Sequence, residues 1–348
     1  MFNLKDTNRY VFAILLIVVA SFVGEQFKKR YLNDPYSEED EIIKQYLLNE
    51  SPLYGFNKPK LWIHTKYELN SRKWLDFSSR NSWNLNMSYI HLTIKTIVDQ
   101  NSEDFHICLI DDCSFSKLIP KWNVDVLNLP EPKKSYFREL GMMKLLTLYG
   151  GMVVPDSFIC QKPLKSFYDE NISNGNPFIC ENINRTTRTN KMNKKMEFIP
   201  DTFFMGSPKK SLTMEEFDLF LTSQLSLPDF TEERIFVGNT AQWCMDCILT
   251  KKMNIVSAQR IGVKTKDGKP ILMENLFQEK PLELSKNCVG VYIPKDEILK
   301  RTKYNWFAYL NKTDVLHTKA IMVDYISDSM IHELEKTKKS YTSGILSL

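Results

Sequence analysis

Residues 136–164, YFRELGMMKLLTLYGGMVVPDSFICQKPL, constrain this chain more than any other stretch: they read as helix, glycine turn, buried strand and acidic loop in immediate succession. Leu140, Met143, Leu146 and Tyr149 recur at helical spacing, and Phe137 continues that face. Gly150 stands where a left-handed C-terminal cap would end the helix. Met152, Val153 and Val154 then form a short apolar run that Pro155 stops, so Asp156 and Ser157 are delivered at the carboxyl end of a strand. Open α/β sheets bind their ligands at that end. Pro-Asp-Ser is equally ordinary turn chemistry, which gives Asp156 a structural reading beside the functional one.

The same grammar appears upstream. Residues 60–65 (KLWIHT) make a compact apolar strand, Ile90, Ile94 and Ile97 share one helical face, and residues 105–110 (FHICLI) read as a second buried strand ending in Asp111 and Asp112. That is a β-α-β unit, whose parallel strands and right-handed crossover again put carboxylates at a strand's carboxyl end; the pair also suits a turn before Cys113 and Ser114. Residues 124–127 suggest a short third strand. Downstream, residues 178–181 and 198–208 read as strands, the latter around Phe203 and Phe204, and Ser211 opens a helix with a start resembling a capping box. A helix over 240–251 carries Trp243, Cys247 and Ile248 as packing residues, and residues 289–293 (VGVYI) form a late strand. Residues 184–196 are a basic polar excursion of the kind that forms a solvated loop. Apolar strands alternating with helical patterns predict an α/β domain over residues 57–336, with a mixed, mainly parallel sheet flanked by helices, and a flexible tail at 337–348.

Composition excludes some classes. With 348 residues, 43% of them hydrophobic, the chain can bury a large core, and a net charge of only +4 with interspersed signs supplies no basic stripe for nucleic acid. Cys244 and Cys247 lack a second pair at metal-ligand spacing, so they read as a buried, inert pair rather than a zinc site. Residues 10–24 (YVFAILLIVVASFVG) are uncharged and lie between Lys5 and Arg9 on one side and Lys28, Lys29 and Arg30 on the other. At about 15 residues the run is shorter than the roughly 20 of a comfortable bilayer span, and it reads as an uncleaved signal anchor after a short tail at 1–9. The acidic residues 25–56 then form a stem. Acceptor triplets at Asn49, Asn86, Asn171, Asn184 and Asn311 permit a lumenal domain.

Several of these pieces together resemble the glycosyltransferases of the sugar-binding DXD group, which include initiating α-1,6-mannosyltransferases and inositol phosphoceramide mannosyltransferases. The family's opening P-K-I-I-H is echoed by Pro59, Lys60, Leu61, Trp62, Ile63 and His64; Leu146, Tyr149, Gly150 and Gly151 match its L-x-x-Y-G-G core; and Lys162-Pro163-Leu164 and the later FFMGSP follow its pattern. Two departures stand out. The DXD aspartates fall on Pro155 and Ser157 with Asp156 between them, and the family's upstream Asp and Arg fall on Glu139 and Met142.

The resemblance implies a GT-A-like nucleotide-sugar-binding domain that moves a hexose, with retention, from a nucleotide-sugar donor to a glycan or glycolipid acceptor, lumenal in the Golgi or endoplasmic reticulum. It implies a manganese or magnesium ion that stabilises the leaving diphosphate, held by Asp156; the candidate helpers beside it are Asp111 or Asp112, the Ser157 hydroxyl and His317, which also reads as a surface histidine. Asp156 and Glu139 are then the catalytic candidates, and His64, Asp111, Asp112, Arg138, Gly150, Gly151 and Ser157 the nucleotide-sugar-binding ones. Arg138 and Lys144 are cations able to pair with phosphate in place of a metal. Two readings stay open: an active membrane-anchored transferase, and a non-catalytic descendant of the fold with a binding or structural role.

Overall fold

A computed structural model describes residues 58–65, 87–183, 198–226 and 233–330, all within one compact unit, residues 43–348. The anchor at 10–24, the stem at 25–56, the tail from 337 and the basic excursion at 184–196 lie outside the described residues. Among the described residues no helix is long and apolar enough to cross a membrane.

The expected β-α-β unit forms. Strand β1 (Lys60–His64) and strand β2 (His106–Ile110) pair in parallel across helix α1 (Tyr89–Asn101), with Trp62 opposite Cys108 and His64 opposite Ile110. Helix α2 (Ser114–Leu118) follows β2, and helix α3 (Lys133–Tyr149) leads through Gly150 into strand β3 (Gly151–Val153), which lies parallel to β1 on its other side. Runs 105–110 and 150–154 therefore belong to one sheet, as their shared apolar character requires. Alternation accounts for burial on both faces. Trp62, Cys108, Ile110 and Val153 join the core beneath α3, while Leu61, Ile63, Ile107 and Leu109 are buried on the opposite face.

Three further strands, β5 (Phe178–Ile183), β6 (Phe198–Ser207) and β7 (Asn254–Val256), complete a mixed six-stranded sheet of order β2-β1-β3-β6-β5-β7. Strand β6 is antiparallel to β3 and to β5, and β7 is parallel to β5. A separate two-stranded ladder joins strand β4 (Phe158–Cys160) to strand β8 (Gly290–Tyr292). After β4 comes helix α4 (Lys165–Ile172). Helices α5 (Leu212–Leu225) and α6 (Glu233–Leu249) cover the core around Met205, where Trp243 stacks on Phe217 at 4.6 Å. Cys244 and Cys247 are free, buried thiols in α6, and burial pushes the Cys247 thiol up to about 11.

Three local expectations differ. Residues 124–127 make no strand: Val126–Asn128 is a 3-10 turn in which only Val126 is buried and Leu127 faces solvent, so no neighbouring strand rewards extension. Ser211 stands at the N-cap of α5, but its side chain makes no cap bond; its carbonyl takes the Met214 and Glu215 amides instead. Gly150 does have positive φ, at 69°, but with ψ −166° it is extended rather than left-handed helical, a conformation that belongs to glycine. This turn sends the chain directly into β3, and its carbonyl accepts the indole N–H of buried Trp62 at 3.0 Å.

Candidate functional site

A cavity of about 380 Å³ opens at the carboxyl ends of β1 and β3. His64 ends β1, and Val153 to Ser157 form the β3 end and its loop. Arg138 and Glu139 project from α3, and Thr202 and Phe203 come from β6. The last wall follows β8: Tyr292, and Lys295 opening the short helix α7 (Lys295–Lys300). The cavity thus lies where parallel β3 meets antiparallel β6, the change of strand direction at which α/β sheets leave a crevice.

Two carboxylate–cation units face this space. Asp156, 4% exposed, accepts from Lys295 Nζ at both carboxylate oxygens, 2.6 and 2.8 Å. Its loop is fixed from two sides: the Thr93 hydroxyl of α1 donates to the Asp156 carbonyl at 2.5 Å, and Ser157 exchanges bonds with Ile293. In the second unit Arg138 grips Asp112 bidentately, Nε to Oδ1 at 2.7 Å and Nη2 to Oδ2 at 2.6 Å. His64 Nε2 reaches the same Oδ1 at 2.9 Å, and its ring stacks on Phe115. Burial alone would raise the Asp112 carboxyl, but the hydrogen bonds and charges of Arg138 and His64 outweigh it and hold the group well below the usual carboxylate range. Because ionised Asp112 can only accept, Nε2 is the protonated ring nitrogen.

The structure brings together His64, Arg138, Glu139, Asp156 and Ser157 at the cavity, with Asp112 bonded directly behind His64 and Arg138. Glu139 accepts the Thr202 hydroxyl at 2.7 Å. Other candidates lie elsewhere. Asp111 caps its own turn by accepting the Ser114 amide at 2.9 Å and hydroxyl at 2.7 Å, and so takes the structural role considered for the pair. Gly150 and Gly151 are absent from the lining and serve the passage from α3 into β3. His317 is exposed at the end of helix Lys312–Leu316, where its Nδ1 donates to the Thr313 carbonyl at 2.7 Å. Lys144 pairs with Asp218 of α5 at 2.6 Å, off the cavity.

Ser157 reaches the cavity but is fully buried, and its hydroxyl donates to the Ile293 carbonyl at 2.7 Å. Ser157→Ala is expected to lower stability by about 1 kcal/mol, the net worth of the lost bond, because the Ile293 carbonyl keeps the Lys295 amide as a donor; the shift of the denaturant midpoint measures it.

Lys295, Asp296, Thr202 and Tyr292 were not singled out from the sequence. One signal was there: VYI-Pro294-Lys295 repeats the apolar-run, proline, charged-residue pattern of VV-Pro155-Asp156, and both place the charged residue just past a strand end. The donor set does not suit the expected cation. Among the described residues no group of three or more His, Cys, Asp or Glu side chains is arranged around a common point, and both oxygens of Asp156 already serve a lysine.

No protein-family model matches the chain, and neither the curated proteins nor the solved structures contain a significant match to it.

Proposed function

We propose that residues 57–336 form the GT-A-like donor-binding domain of a glycosyltransferase, which moves a hexose with retention from a nucleotide sugar to a glycan or lipid-linked acceptor. In this proposal residues 10–24 anchor the chain and the domain faces the lumen of the Golgi or endoplasmic reticulum. The observation that carries the reading is the pairing of two fixed cations, Lys295 and Arg138, with the carboxylates of Asp156 and Asp112 around one crevice at the strand ends. Cations with donors to spare suit phosphate oxygens, and the lining carboxylates Glu139 and Asp296 suit the hydroxyls of a sugar. Asp156 then acts chiefly by holding Lys295, and Asp112 by holding Arg138.

A second reading, a non-catalytic member of the fold, is favoured by one specific feature: Pro155 and Ser157 leave Asp156 as the single carboxylate of its loop, and that carboxylate is fully engaged. Calorimetric titration with uridine-, guanosine-, adenosine- and cytidine-diphospho-sugars, followed by an assay for released nucleoside diphosphate, separates the two. Saturable binding with slow release of the diphosphate is the expected result for a transferase. Binding without release under any condition favours the second reading, and absence of binding across the panel removes the transferase and leaves the fold with a structural role.

A further inference from the structure

We infer that the ammonium of Lys295 occupies the functional place of a divalent cation here, so that the cavity takes a nucleoside diphosphate group through Lys295 and Arg138 without metal. The inference rests on the nucleotide-sugar reading above and names how that site recognises its ligand.

The geometry starts from Asp156. Its carboxylate is 5% exposed, and both oxygens accept from Lys295 Nζ. A divalent ion taking six or more oxygen ligands at this point would have to displace that lysine from the buried Asp156 carboxylate. The loop itself offers no second ligand: the flanking positions are Pro155, which has no side-chain donor atom, and Ser157, whose hydroxyl is committed to Ile293. A lysine in contact with a buried carboxylate supplies positive charge at a fixed point, which is the electrostatic service a metal would render to a diphosphate.

Lys295 also has the capacity. An ammonium carries three donors, of which the two Asp156 oxygens take two, and its side chain is 35% exposed where it lines the cavity. The third donor is left for a phosphate oxygen. Arg138 is arranged the same way: Nε and one Nη2 proton hold Asp112, while Nη1 lies 3.7 Å from Glu131, beyond hydrogen-bond length. Its remaining donors form part of a planar fork, the shape that meets phosphate. Each cation is held by a carboxylate, Arg138 by Asp112 behind the lining and Lys295 by Asp156 within it, so little side-chain entropy is lost when a diphosphate arrives.

The full chain is titrated with uridine, guanosine, adenosine and cytidine diphosphate, once in EDTA and once in manganese chloride. Lys295→Gln and the double variant Lys295→Gln/Asp156→Asn are then titrated alongside; the double variant replaces the ion pair by a neutral amide pair and keeps the test valid if a lone buried Asp156 disturbs folding. At least one diphosphate is expected to bind with an affinity that changes less than about threefold between EDTA and manganese, and to bind the double variant about tenfold or more weakly in both. Binding that appears only with manganese, or a double variant that binds as tightly as wild type, overturns the inference and leaves the nucleotide-sugar reading standing. If no diphosphate binds wild type in either condition, both fall.

Discussion

Gly151→Ala is expected to leave the domain unfolded or nearly so. At φ 99°, a methyl group on residue 151 would lie 2.1 Å from the Lys60 carbonyl oxygen and 2.8 Å from its carbon, and these are backbone atoms of the adjacent parallel strand. No rotamer can relieve a clash between two paired backbones. The left-handed conformation adds about 1–2 kcal/mol of strain for any L side chain, and displacing β1 from β3 disrupts the centre of the sheet, so the total reaches roughly 4–5 kcal/mol or more. A loss of that size matches the lower end of the roughly 5–15 kcal/mol by which a typical domain is stable. Gly175→Ala is the control: it shares positive φ, at 78°, but its methyl would meet nothing within 4 Å. That variant should lose only about 1–2 kcal/mol. Circular dichroism during thermal unfolding of the two variants makes the comparison, and a Gly151→Ala protein that melts with the control would refute the assigned packing of β3 on β1.

Asp112→Asn should destabilise the protein by about 3 kcal/mol, because it removes the charge that binds both Arg138 and His64 in a largely dry setting and leaves the guanidinium with only the more distant, exposed carboxylate of Glu131. Its pH dependence has a definite sign. The Asp112 carboxyl lies lower in the folded chain than its unfolded value of about 3.9, so its contribution is complete above that pH and is lost as pH falls through the lower, folded value. Urea midpoints of wild type and variant should therefore stay apart at neutral pH and converge only below about pH 4. Convergence already near pH 6, where Asp112 is still ionised, would mean that its charge does not carry the interaction. Because Arg138 faces the cavity, the variant also frees one of the two cations on which ligand binding is proposed to depend.

Much of this architecture was legible in local patterns. The KLWIHT, FHICLI and GGMVV runs are strands because continuous apolar segments of that length bury both faces of a parallel sheet, and the helices between them show a 3.6-residue period. Asp156 could be placed at a strand's carboxyl end from Pro155 alone. The run at 124–127 has the same apolar look, yet it turns, since strand formation depends on a neighbour to pair with and none is offered. Strand β4 escaped notice for the converse reason: FIC is too short to carry a period, and it is extended because β8 pairs with it from more than a hundred residues away.

Within the site, the division runs along the same line. Local pattern sets where acidic residues and glycines stand relative to the strand ends, because proline stops, glycine turns and apolar periods act over a few residues. Which carboxylate does what depends on contacts made across the fold. Asp111 and Asp112 are adjacent in the chain, yet one caps a turn while the other holds Arg138 from 26 residues away, and Asp156 takes a lysine 139 residues distant. A charge buried away from water needs a partner within about 3 Å, and which partner arrives is settled by how the β3 and β8 ends converge, a relation no local pattern in either segment encodes.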